Sequence, residues 1–343
     1  MGRGIISWRS IFKEIRIRSV SSKAKALARK YGYRPYMVER YLRILGYDDT
    51  VKLLKSFEKP VKPVIRCNDL RVNCKWLIKR LESLGFRLEY IGWSIHGYRV
   101  LESPSSPTIG STHEYLKGYY YVHRDAAPLI PQLLLLYNNW EEVVLDACAA
   151  PGGKATHLAQ LLGDRGVVIA NDIVLSRLMA LISHVLRMGY TNIVVTWCDL
   201  RKMPRLVSTR FSRILLDVPC SGEGTIMLDP GRKTRTTQVD LARIVAREIE
   251  ILQAGLSLLK PGGILAYTTC SIAPEENEYV VSKILSLNPD VKVVEPPIKL
   301  LEWSNGVIEY GGLDLDPSTR KCIRIWPHLH GMIGFTICLL TKQ

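Results

Sequence analysis

Two of the eight cysteines stand in runs that suit thiol chemistry. Cys220 lies in Asp217-Val-Pro-Cys-Ser-Gly-Glu-Gly224, directly after an apolar run that ends at Asp217. Cys270 lies in Tyr267-Thr-Thr-Cys-Ser271, at the end of a second apolar run. Pro219 and Gly222 shape a tight turn that presents Cys220. Pro274-Glu-Glu-Asn opens a helix just after Cys270, and a thiol near a helix start ionises more readily and attacks better. Two thiols at adjacent strand ends therefore suit nucleophilic chemistry, with a disulfide or redox pair as the other use of the same residues. The remaining cysteines stand at 67, 74, 148, 198, 322 and 338. None of the eight forms a C-x-x-C pair, so zinc-ribbon spacing is absent and each of the six is expected to be a small buried hydrophobe in a reducing compartment.

A second chemical feature precedes both. Residues 143–154 read Val-Val-Leu-Asp-Ala-Cys-Ala-Ala-Pro-Gly-Gly-Lys: a buried strand ending at Asp146, a turn with Gly152 and Gly153, then a helix start. Such a unit aims free backbone N–H groups at the strand's carboxyl end. It lacks the glycine, four residues, Gly-Lys-Ser/Thr pattern of ATP and GTP sites and the spaced glycines of NAD sites. A nucleoside cofactor without a pyrophosphate fits better, and S-adenosylmethionine is one. Asp172 closes the next strand about 20 residues on, where an acidic side chain accepts from ribose hydroxyls. Asp199 and Asp217 end the third and fourth strands and are expected at the same crevice; capping of the following turn is the bland alternative for each.

The elements that must hold these residues follow from periodicity. Strands are expected at 143–146, 167–171, 193–197, 214–218, 263–268, 291–294 and 335–340, with helices at 154–162, 175–188, 239–259 and 275–287. The alternation predicts a mostly parallel seven-stranded sheet with helices on both faces. Upstream, 35–58 reads as two helices broken at Gly46, and Lys59-Pro-Val-Lys-Pro63 as a stiff connector. Residues 64–110 read as a small α/β module. In Tyr119-Tyr-Tyr-Val-His123 strand alternation sends the tyrosines to two faces. Core packing is the commoner role there and base stacking the other.

The net charge is +15. Residues 1–125 carry 25 Lys/Arg against 11 Asp/Glu, and the rest is nearly neutral. A basic face of that size suits a polyanion, nucleic acid first, against the bland reading of a solvated surface. No apolar run approaches the ~20 residues of a membrane helix, and the first residues, with Arg3 and Arg9, lack an apolar signal core, so a cytoplasmic location is expected. His328 and His330 lack a cysteine or carboxylate at ligand spacing, which argues against a metal.

The glycine turn, the Asp217–Gly224 run, Pro261-Gly-Gly, the Tyr267–Ser271 run and Pro274-Glu-Glu-Asn-Glu278, in this order, resemble the NOL/NOP/SUN family of RNA cytosine-5 methyltransferases. Residues from ~115 to the end carry the resemblance strongly. Residues 35–110 more loosely resemble the N-terminal module of archaeal tRNA-modifying members. The resemblance implies a Rossmann-like S-adenosylmethionine-dependent methyltransferase domain at 113–343, a small α/β RNA-binding module at 63–112 and a basic helical extension at 1–62. It implies Cys270 as the nucleophile and Cys220 in proton removal or release. It gives cofactor contacts to Cys148, Ala149, Ala150, Pro151, Gly152, Gly153, Lys154, Asp172, Asp199 and Asp217, with Arg177 as a further contact. Lys154 and Asp217 are also expected at the cytosine, and 326–330 as an active-site wall. The expected partner is RNA, with tRNA first and ribosomal RNA the alternative; no membrane and no metal are expected, and the chain is expected to be a monomer. The reading from another class is an RNA-binding or assembly factor whose methylation is dispensable.

Overall fold

The computed structural model describes residues 7–137, 143–163 and 165–343, so Arg3 lies outside it. Three helices come first: α1 (Trp8–Ile15), α2 (Ser22–Tyr31) and α3 (Pro35–Ser56). Ser7 and Ser21 accept from first-turn N–H groups of α1 and α2. α3 kinks at Gly46, where φ is 73°. After the connector come β1 (Val64–Cys67), α4 (Cys74–Ser83), β2 (Arg87–Tyr90), β3 (Gly97–Glu102), the single turn α5 (His113–Leu116) and β4 (Tyr120–His123). These strands form one antiparallel sheet in the order β2-β3-β1-β4.

The larger sheet follows. α6 (Ile130–Leu135) leads to β5 (Val143–Asp146), α7 (Gly153–Leu162), β6 (Val167–Asp172), α8 (Leu175–Met188), β7 (Ile193–Trp197), α9 (Met203–Leu206) and β8 (Phe211–Asp217). Then come α10 (Arg232–Arg235), α11 (Gln238–Leu258), β9 (Leu259–Thr269), α12 (Glu278–Leu287), β10 (Val291–Val294), and the short β11 (Ser304–Asn305), β12 (Glu309–Tyr310) and β13 (Leu313–Asp314). β14 (Ile323–Ile325), α13 (Pro327–His330) and β15 (Phe335–Lys342) end the chain. The order is β11-β14-β15-β9-β8-β5-β6-β7, with β10 also on β15. β7, β6, β5, β8 and β9 run parallel, and β15 joins β9 antiparallel. All seven expected strands are present; β11 and β14 extend the sheet further, both too short to show a period in sequence.

Alternation along the central strands sorts the core into two layers. Leu145, Ile214 and Leu216 bury with Leu241 and Leu252 of α11 and Val280 of α12. Val144 and Leu215 bury with Leu158 of α7 and Leu181 of α8. Two packing contacts cross the expected domain boundaries. Ile11, Ile15, Met37 and Leu53 belong to the same core as α11, so α1–α3 pack onto the large domain rather than standing free of it. β4 pairs along β1, Val64 opposite His123, which moves the small module's end from 112 to beyond 123. The expectation of six unpaired buried cysteines is also corrected. Cys67 is joined to Cys74 and Cys322 to Cys338, with Cα atoms 5.9 and 4.4 Å apart, within disulfide reach. Among the described residues, no helix is long and apolar enough to cross a membrane.

One buried ion cluster locks α3 to the large sheet. The Arg40 guanidinium, fully buried, donates to Glu223 at 2.7 Å and to Glu275 at 3.1 Å, and the Tyr41 hydroxyl donates to Glu223 at 2.7 Å. Burial pushes the Glu275 carboxyl up even beside Arg40, because one cation faces two carboxylates. Arg40→Met is therefore expected to cost about 3–5 kcal/mol, by leaving buried carboxylates uncompensated. Urea unfolding at neutral pH measures it; a loss under 1 kcal/mol would show that the cluster does not hold α3 in place.

Candidate active site

β5 lies between β6 and β8, so the chain leaves it to one side and later returns on the other. Such a switch point opens a crevice at the strands' carboxyl ends. Here it is a cavity of about 560 Å³. Of the expected residues, Cys148, Ala149, Ala150, Pro151, Gly153, Lys154, Arg177, Asp217 and Cys270 line it. Gly152 shapes the turn from behind, at a φ of 108°, where a Cβ would stand 2.8 Å from Leu181. Asp172 is buried behind the turn, accepting from the N–H of Ala150 at 3.2 Å and of Val174 at 2.9 Å, with Arg177 3.6 Å away. Asp199 is not brought to the cavity wall. Arg201 holds both its oxygens, at 3.0 and 2.8 Å, and lowers its pKa through those bonds.

The two cysteines meet. Cys220 Sγ and Cys270 Sγ are 3.3 Å apart, as thiols rather than as a disulfide. The turns that carry them are stitched together. Glu276 accepts from the Ser221 N–H at 2.6 Å and from the Ser221 and Ser271 hydroxyls at 2.5 Å each. The Gly224 N–H donates to the Cys270 carbonyl at 2.9 Å, and a Cβ on Gly224 would fall 2.1 Å from the Gly334 carbonyl oxygen. The pair is electrically unequal. Hydrogen bonding from Cys220 holds the Cys270 thiol below its ordinary range; burial and Asp217 oppose this, while Lys154 and Arg232 reinforce it. The same bond, with burial, pushes Cys220 well up. Of the two, Cys270 is the thiol that gives up its proton more readily.

Beside them, Lys154 Nζ donates to Asp217 Oδ2 at 2.7 Å, and the Thr268 hydroxyl to Asp217 Oδ1 at 3.1 Å. Burial pulls the Lys154 ammonium down, but Asp217 holds it above its ordinary value, so it stays charged. Cys148 is pushed up by burial and the surrounding carboxylates, which leaves it inert.

Sequence reasoning passed over several wall residues. Asp146 is fully buried, lines the cavity and has no side-chain hydrogen-bond partner among the described residues; burial, then Asp217, raise its pKa to about 8. It ends β5 as Asp172 and Asp217 end their strands, so the signal was there. Tyr121 and His123 line the cavity from one face of β4, while Tyr120 buries in the small module. Tyr120 and Tyr121 are both buried, as core packing expects. Ile333 and Phe335 also reach the cavity, and so does Arg232, from the Gly231–Arg235 loop that the sequence reading places near the crevice. The expected wall at 326–330 is corrected: His328 faces a neighbouring groove, and Ile333 and Phe335 stand where the wall was expected.

A parallel core with a glycine turn into a helix, and acids at successive strand ends, defines a Rossmann-like methyltransferase domain of the type that takes S-adenosylmethionine. The cavity suits that group. No side chain caps the start of α7, so its first N–H groups are free for a ligand, and a Cβ on Gly153 would crowd Tyr121 and His123 at 3.3 Å. The chain belongs to the family described as 16S rRNA methyltransferase RsmB/F, whose model matches residues 133–341. The N-terminal domain of 16S rRNA methyltransferase RsmF matches 35–123, ending with β4. The mouse 28S rRNA (cytosine-C(5))-methyltransferase is 34% identical over 94% of this chain, which spans 40% of that protein's length. A methyltransferase homolog protein from Pyrococcus horikoshii superposes with a TM-score of 0.82 at 31% identity, over 94% of this chain and all of that one. NSun6 from the same organism, solved with SFG, has a TM-score of 0.75 at 23% identity over 89% of this chain and 97% of that one, and so shares the fold.

Two outcomes test the electrostatics. Cys270 is expected to alkylate faster than Cys220, with a pH midpoint below 9, and Cys220→Ala should raise that midpoint by removing the donor; mass spectrometry after iodoacetamide pulses reads both. Asp146 binds a proton in the folded state up to about pH 8, while an unfolded Asp releases it near 4. Its contribution to stability is therefore present at low pH and lost as pH rises through that window. Relative to wild type, Asp146→Asn should gain about 1.4 kcal/mol per pH unit between about pH 5 and 8. Parallel unfolding curves at all pH values would refute this.

Proposed function

We propose that the chain is an S-adenosylmethionine-dependent RNA cytosine-5 methyltransferase. The observation that carries the reading is the unequal cysteine pair beside Lys154 and Asp217. Carbon 5 of cytosine is a poor nucleophile. Addition of the Cys270 thiolate to ring carbon 6 makes carbon 5 enamine-like. When bound, S-adenosylmethionine would supply an electrophilic methyl group. The turn 148–154, with Asp172 and Arg177 behind and beside it, would hold that group. Asp199 is left out of the set because Arg201 occupies it. Asp217 and Lys154 would face the base's ring nitrogen and amino edge. Once carbon 5 is methylated, its proton must leave so that the Cys270–carbon 6 bond can break. Cys220 lies close enough to take part, and its own proton must first pass on.

Ribosomal RNA is the favoured substrate class, since the matched families and the mouse relative are all described by it. The tRNA expected from the sequence is the competing outcome. A cytoplasmic, monomeric enzyme completes the proposal. A dispensable-methylation assembly factor has no use for the thiol pair, and nothing observed favours it.

Cys270→Ala should lose methyl transfer to cytosine-containing RNA by at least about 10³-fold, the scale set by removing a covalent nucleophile. Cys220→Ala should trap a protein–RNA adduct on denaturing gels. Equal activity of wild type and Cys270→Ala would sink the mechanism. Mapping 5-methylcytosine in ribosomal RNA and tRNA after incubation decides between the substrates.

A further inference from the structure

A second cavity, of about 550 Å³, lies outside the catalytic crevice. Its rim carries Lys52 and Lys55 from α3, Lys59 and Lys62 from the proline-bounded connector, and Arg99 from β3. Lys52 and Lys55 are three residues apart on a helix and so share a face. No carboxylate lines this cavity. Lys52 meets Asp49 at 2.8 Å and Arg99 meets Glu89 at 3.1 Å, both with exposed partners, so these pairs are weak and exchangeable. Lys62 donates to the Leu101 carbonyl. Among the described residues, Lys55 and Lys59 have no ion-pair partner. Like charges gathered on a concave surface repel one another and are stabilised when an anion enters.

The floor is apolar, built from Val61, Met227, Pro327 and Met332, with the His328 ring beside it. Both nitrogens of His328 lack a protein partner, and burial lowers its pKa, so the ring is neutral. The groove adjoins the catalytic cavity along two chain segments. Met227 precedes Leu228, and Met332 precedes Ile333; the second residue of each pair lines the catalytic cavity. One residue step, ~3.8 Å, separates the walls.

We propose that this groove is the track for the single-stranded RNA flanking the target cytosine. The inference rests on the RNA-methyltransferase reading. The cationic rim takes phosphates, and the neutral His328 ring beside the apolar floor gives a base a flat face to stack on, a basic groove with a stacking platform being how single strands are bound without duplex readout. A duplex cannot enter a cleft of this size, and the target base must in any case leave its stack to reach the thiols.

The test is RNA binding by the full chain, with a fluorescein-labelled single-stranded RNA containing one cytosine, titrated across a salt series. Two phosphate contacts at about 0.7 each set the expectation: Lys55→Gln/Lys59→Gln should flatten the slope of log K against log salt by about 1.4. In the methyl-transfer assay the loss should fall on the KM for RNA rather than on kcat. Lys292→Gln/Lys342→Gln, on strands at the sheet's other end, should keep the wild-type slope. Equal slopes for wild type and the groove variant, or an equal loss in the control, overturn the track. A flattened slope without any methyl transfer by wild type keeps the track and removes the methyltransferase reading. Methyl transfer with an unchanged slope and KM does the reverse.

Discussion

Everything at this site depends on holding two turns together that the chain separates by 50 residues. Burying one guanidinium among Glu223 and Glu275 does that from the far side. Arg40 comes from a helix some 180 residues upstream of Glu223. Removing a charge from water costs several kcal/mol, and the attraction offsets this only when the geometry and remaining hydrogen bonds are good. Here Tyr41 adds a further hydrogen bond to Glu223, while Arg40 Nη2 has no hydrogen-bond partner among the described residues. Glu276 does the same work from the near side, taking Ser221 and Ser271 together. The sulfurs are the tips of two turns clamped at their bases, which is why they meet at 3.3 Å without a bond.

That clamp has an electrostatic consequence. A buried thiol normally becomes harder to ionise. At this contact the two thiols share a hydrogen bond and the penalty falls unequally, Cys220 pushed up and Cys270 held below its ordinary range. The neighbouring Lys154–Asp217 pair is nearly neutral as a unit, so it neither floods the site with positive charge nor quenches Cys270. Asp146, kept protonated by the same burial, adds no further negative charge at neutral pH.

The strands, the glycine turn and the two thiol turns were legible because their signals are local. An apolar run, its terminal Asp and the following Pro-Cys or Thr-Cys fall within a few residues of each other. What was not legible depends on contacts across the chain. β4 reads as the start of the next domain until β1, more than 50 residues earlier, pairs with it. α1–α3 read as a basic extension because their apolar faces are short, and only α11 shows what those faces cover. Asp199 looks equivalent to Asp172 in sequence; in the fold an arginine two residues on pairs with it. The disulfides were missed because spacings of 7 and 16 residues match no redox or metal pattern, and the fold brings Cys67 of β1 to the start of α4 and Cys338 of β15 to the residue before β14.

The same distinction governs the charge argument. Formal charge counts every Lys and Arg alike, but the fold does not expose them alike. Arg40 and Arg66 are fully buried; one neutralises carboxylates, and the other donates to Thr156 and Gln160 and stacks near Tyr121. Lys233 reaches back to Glu58 and to the Tyr31 carbonyl. Arg40 and Arg66 of the N-terminal third are therefore structural, and a polyanion does not meet them. What remains exposed is not spread evenly: the end of α3 and its connector gather lysines at the rim of one groove, beside the catalytic cavity. A diffuse basic face would hold RNA in any register. A basic groove that ends at a thiolate holds it in one.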